Sequence, residues 1–69
     1  MTDLSKNQDR PPIMKFFEWK HLPENLQVVS KPFGEFAETM NNQLQPGPEK
    51  SAGLRKLLEA KDCAVRAAL

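Results

Sequence analysis

The stretch Pro48–Leu69, PEKSAGLRKLLEAKDCAVRAAL, decides the architecture. It is built mainly from Ala, Leu, Lys, Arg and Glu, which lose least on entering a helix. Glu49 stands near its start, where the helix dipole favours a carboxylate, and Asp62 precedes Arg66 in the favourable order for an ion pair on the solvated side. At about 100 degrees per residue, Gly53, Leu54, Leu57, Leu58, Ala60, Ala64, Val65, Ala67, Ala68 and Leu69 share one continuous arc of roughly 200 degrees. One partner helix cannot cover so wide an arc. Its small half (Gly53, Ala60, Ala64, Ala67) allows close backbone approach, and its large half (Leu54, Leu58, Val65) offers ordinary packing. One half is expected at the seam with a neighbouring helix and the other between subunits.

Immediately upstream, Gln45-Pro46-Gly47-Pro48 reads as a short turn, with Gly47 as N-cap and Pro48 as first helical residue. Before it, residues 23–44 carry Leu26, Val29, Phe33, Phe36, Met40 and Leu44 on one helical stripe. Pro23 suits the first helical position and Glu24 the positive end of the dipole. Pro32 removes one backbone donor and crowds the carbonyl four residues earlier, yet the stripe keeps its phase across it, so one helix kinked at Pro32 is expected rather than two. A turn as short as 45–48 makes the two helices antiparallel neighbours.

Residues 13–22, IMKFFEWKHL, hold three of the five aromatics of the chain. Extended, they would point Phe17, Trp19 and His21 to one face; a short helical turn is the alternative. Such a segment must lie against something else. Residues 1–12, MTDLSKNQDRPP, are polar and aperiodic, and are expected to form a disordered arm. The expected fold is all-α: an antiparallel two-helix hairpin over residues 13–69, led in by a short aromatic segment and assembled as a homo-oligomer.

Composition bounds the function. A chain of 69 residues holds one domain at most, which excludes a multi-domain enzyme. Ten Lys and Arg against nine Asp and Glu leave a net charge of +1, without the broad basic field that coats nucleic acid, so DNA and RNA are disfavoured partners. One Cys and one His supply neither an internal disulfide nor a set of soft metal ligands. Apolar runs never exceed three residues, so neither a membrane span nor a signal-peptide core is expected, and the protein is expected to be soluble, to keep its amino terminus and to reside in the cytoplasm. A chain this small without disulfide or metal is expected to gain stability by oligomerising.

Several residues break the helical pattern. Lys61 falls inside the apolar arc and Lys50 at a similar angle in the first turn. Both can snorkel to water along neighbouring side chains, or meet a bound anion between protomers. Phe17, Trp19, Lys20 and His21 combine rings and cations just before the first helix, a grouping that can stack a base and hold its phosphate, or can simply cap a small core. Arg55, near the start of the second helix, is a phosphate contact or part of a solvated face. Cys63 has no second thiol and no activating base, and the acids Glu49, Glu59 and Asp62 have nothing to split their pKa values, so no catalytic residue is assigned. No phosphate-cradling Gly loop, nucleophile elbow or metal-ligand constellation is present.

The sequence order F-x-W-K-H-x-P over Phe17–Pro23, a helix, the turn G-P-E over Gly47–Glu49, and L-R-K-L-L-E-A-K-D-C-A-V-R-A over Leu54–Ala67 resembles the core hairpin of small phage proteins that sequester immune nucleotide signals, the anti-CBASS and anti-Thoeris sponges. The likeness covers residues 17–68. It implies a non-enzymatic homo-oligomer, a hexamer, that takes no cofactor and binds cyclic dinucleotides, cyclic trinucleotides or cyclic ADP-ribose isomers in pockets between subunits, in the cytoplasm of the bacterial host. The ligand-binding residues expected on this chain are Phe17, Trp19, Lys20, His21, Lys50, Arg55 and Lys61. The family's aromatic within the first helix is absent here, where Leu26 stands and no tyrosine occurs, and Trp19 or Phe17 is the substitute on offer.

Overall fold

The structure, a computed structural model, describes residues 11–69. The expected polar arm therefore lies outside the described residues up to position 10, while Pro12 already belongs to the fold. The described residues are all helical in class: a 3-10 helix over Pro12–Phe17, a long helix α1 over Glu24–Gln43 and a second, α2, over Pro48–Ala68, with no strand among them. The lead-in takes the helical alternative for its first half. Pro12 occupies an opening position, where a missing N–H costs nothing, and the chain turns extended at Glu18. A second turn follows, closed by Leu22 N–H donating to Trp19 O at 3.1 Å. The run is therefore not extended, and its three residues differ in burial: Phe17 is buried, Trp19 half-buried and His21 exposed.

α1 begins one residue later than expected, with Pro23 as N-cap and its carbonyl accepting from both Leu26 and Gln27. It runs without a break through Pro32, whose ring lies on the exposed side. α2 begins as the sequence dictates, Gly47 as N-cap and Pro48 at the first position. The two long helices pack together, and each also contacts the 3-10 helix. Lys50 Nζ donates to Asn41 O at 3.0 Å, and Met40 lies against Gly53, where an added Cβ would stand 3.1 Å from Cε.

The buried core is small. Met14 and Phe17 come from the 3-10 helix, Ala37 from α1 and Leu54 from α2, with Ile13, Met40, Leu57 and Leu58 packed around them. The face that α1 buries is not its apolar stripe. Ser30, Gly34 and Ala37 are the buried residues, centred roughly 80 degrees around the helix from the stripe. The cause is the close approach of the lead-in: a Cβ on Gly34 would stand 2.7 Å from Trp19 Cδ1 and 2.8 Å from the Phe17 carbonyl oxygen. Only small residues fit beneath it. The larger side chains Leu26, Val29, Phe33 and Met40 are left half-buried on the flank, and Phe36 is 55% exposed.

α2 divides its wide arc differently from the expected halves. Its buried meridian is Leu54 and Lys61, in the middle of the arc, and Ala60 and Ala67 are exposed on one edge. Arg66 donates to Cys63 Sγ at 3.4 Å, in place of the ion pair expected with Asp62. No helix among the described residues is long and apolar enough to cross a membrane.

Candidate functional site

Trp19 is the centre of the site. Gly34 in the middle of α1 leaves a notch in the helix surface, and the five-membered edge of the indole sits in it. Two ammonium groups flank the ring: Lys31 Nζ lies 5.4 Å from its centroid and Lys20 Nζ 5.9 Å. Both distances fall within cation–π range, and the attraction holds the cations beside the aromatic face. The turn that carries Trp19 and Lys20 is fixed from α1 by Gln27, whose Nε2 donates to Lys20 O at 3.0 Å and to Leu22 O at 2.8 Å.

A cleft of about 410 Å³ opens beside this ring, between the lead-in and α1. Met14, Phe17, Gly34 and Trp19 line it, together with Lys20, His21 and the carboxylates Glu18, Glu35 and Glu38. A ligand carrying both a flat ring and a phosphate would meet an aromatic ring in Trp19 with the ammonium groups of Lys20 and Lys31 close to it.

No family model, curated protein or solved structure matches the chain. The arrangement of its own side chains is accordingly what bears on function.

Of the seven expected ligand residues, the structure brings four to this cleft: Phe17, Trp19, Lys20 and His21. Phe17 lies beneath them with 2% of its surface exposed, so its ring serves the core and floor rather than a stacking face. Lys50 and Arg55 sit elsewhere, on a second cleft of about 480 Å³ between Pro11–Ile13 and the start of α2. There Lys50 is already engaged with the Asn41 carbonyl. Lys61 belongs to neither opening: it is 8% exposed, and its Nζ donates to Phe16 O at 2.5 Å. Two residues of the site went unassigned by sequence reasoning. Lys31 lies twelve positions from Trp19, and only the packing of the lead-in on α1 joins them. Gly34 was the available signal, since a glycine inside a helix costs about 1 kcal/mol relative to alanine and commonly marks close approach. The lead-in also presents Phe16, 55% exposed, with Lys15 Nζ 5.5 Å from its centroid.

Proposed function

We propose that the protein is a non-enzymatic sponge for cyclic nucleotide immune signals: a homo-oligomer of antiparallel helical hairpins, of phage type, acting in the bacterial cytoplasm by stoichiometric sequestration. The observation that carries this reading is the indole of Trp19 seated on Gly34 with Lys20 and Lys31 beside it. A nucleobase stacks on such a ring and its phosphate meets the ammonium groups, a pairing worth roughly 1–3 kcal/mol per stacked base. The ligand class comes from the likeness of residues 17–68 to the sponge family. The contacts Lys50–Asn41 and Met40–Gly53, close to either side of the turn, support the hairpin.

Assembly is supported by what the single chain leaves uncovered. Among the described residues four buried apolar side chains make a meagre core, while Phe36, Val28 and Leu44 of the first helix and its end remain largely exposed. A second copy covering the flank of α1 would remove that apolar surface from water and enlarge the core. Isothermal titration against cyclic dinucleotides, cyclic trinucleotides and cyclic ADP-ribose isomers tests the ligand class. Saturable binding at a fixed stoichiometry is expected, and absence of heat or thermal shift with every member of the panel refutes it.

The same exposed residues favour a second reading, a small helical adaptor or inhibitor that acts through protein contacts. Val28 at 72% exposure and Phe36 at 55% project from one long helix. Capture of a stoichiometric partner protein, together with purified protein that carries no nucleotide absorbance near 260 nm, would decide for it.

A further inference from the structure

We propose that Lys61 and Gln27 are a pair of backbone clamps that hold the Trp19 platform in place without touching the ligand, an inference that rests on the nucleotide-binding reading of that platform. Lys61 is an unexpected residue to bury in an apolar arc, since desolvating an ammonium costs more than burying an apolar side chain of equal length. It shares the buried meridian of α2 with Leu54, and its head ends on the Phe16 carbonyl, 45 residues away in sequence. The bond is charge-assisted, the strong class of hydrogen bond. Gln27 does the equivalent from α1, its single amide spanning the carbonyls of Lys20 and Leu22.

The two grips bracket Trp19. Phe16 lies three residues before it, and Lys20 and Leu22 follow it. Between them the chain leaves helical geometry at Glu18, and the backbone bonds available there are the single links Glu18 N–H to Lys15 O at 3.4 Å and Leu22 N–H to Trp19 O at 3.1 Å. A segment so lightly bonded to itself would not keep an indole at a fixed angle above Gly34. One side chain from each long helix fixes each end of it, so the orientation of the stacking ring is set by the packing of both helices.

The test uses Lys61→Met, which keeps the stem and removes the donor, and Gln27→Met, which does the same on α1. An ammonium buried for packing and one buried for positioning predict opposite results. Each substitution keeps the stem packed and removes hydrogen-bond donation worth about 0.5–1.5 kcal/mol per bond, so each variant should melt within about 10 °C of the parent. Amide exchange over residues 12–22 should nevertheless accelerate about tenfold or more, as a local opening, and the emission of Trp19 should shift to the red. Affinity for cyclic diadenylate or cyclic diguanylate should fall about fivefold or more without a change in stoichiometry. Unchanged exchange and emission in both variants overturn the proposal. So does loss of protection in step across the whole chain, which would make Lys61 an ordinary core residue; Gln27→Met applies the same criterion if Lys61→Met fails to fold. If the parent protein binds no cyclic nucleotide, the sponge reading fails, whereas the exchange and emission results still judge the clamps.

Discussion

Replacing Gly34 by alanine sets two effects of known sign against each other. In the middle of a helix the change gains about 1 kcal/mol from propensity alone. Against this, the new Cβ would stand 2.7 Å from Trp19 Cδ1 and 2.8 Å from the Phe17 carbonyl oxygen, where carbon contacts normally relax to about 3.5–4.0 Å. The shortfall is therefore about 1 Å on two sides. The indole can swing away, but the Phe17 carbonyl cannot move without dragging the Phe17 ring out of the core. Overpacking of this kind costs about 1–3 kcal/mol, so a net loss near 1 kcal/mol is expected, lowering Tm by about 4–8 °C for a chain of this size. Circular dichroism follows the helices, and fluorescence follows Trp19 without interference because it is the single tryptophan of the chain. The expected result is a lower Tm with red-shifted emission well below the transition. A higher Tm with unchanged emission would refute the close seating of the indole on α1.

Gly53→Ala should do the reverse, since its Cβ would meet only the mobile end of Met40 at 3.1 Å; a gain of about 0.5–1 kcal/mol is expected in a denaturant melt. Ser30→Ala should also stabilise, by about 1 kcal/mol, because the Ser30 hydroxyl is fully buried and finds no partner among the described residues; a loss of stability would mean that the hydroxyl is bonded. Lys31→Ala should weaken cyclic nucleotide binding about tenfold while moving Tm by no more than about 2 °C, measured by titration and melting in parallel. Phe36→Glu, placing a charge on the exposed flank of α1, should reduce the mass seen by light scattering toward the 7.8 kDa of one chain, and an unchanged mass would remove that flank from the subunit interface.

How far the fold can be read from the chain depends on the range of the cause. α2 is legible because its signals are local: an Ala- and Leu-rich composition, a Gly-Pro start and an unbroken period. Lys61 is likewise legible as an anomaly within that period, although its partner, a backbone carbonyl on a distant segment, is not. The 3-10 helix is ambiguous from sequence because a short apolar run fits either an extended strand or a turn, and the Pro11-Pro12 pair that tips it acts only at its first position. The buried face of α1 is the clearest divergence. Its large apolar residues define the stripe, but the site of closest packing selects for small size, so Ser30, Gly34 and Ala37 mark the contact and carry almost no periodic signal. Trp19, Lys20 and His21 are legible as a cluster because they are consecutive, whereas Lys31 joins them only through tertiary packing. Lys50 and Arg55 share the chemistry of the cluster without sharing its location.

The small core carries one consequence for how the protein can be divided. Two of its four buried apolar side chains, Met14 and Phe17, belong to a six-residue segment that lies outside both long helices. The helix pair is therefore not a module. Excised from residue 23 onward, it would lose Met14 and Phe17 and bare the notch at Gly34, leaving two amphipathic rods registered by Ala37 and Leu54 with the flanking Met40, Leu57 and Leu58. Any grafting or minimisation of this scaffold has to carry the lead-in with it, and the part that binds and the part that holds the helices together cannot be redesigned independently.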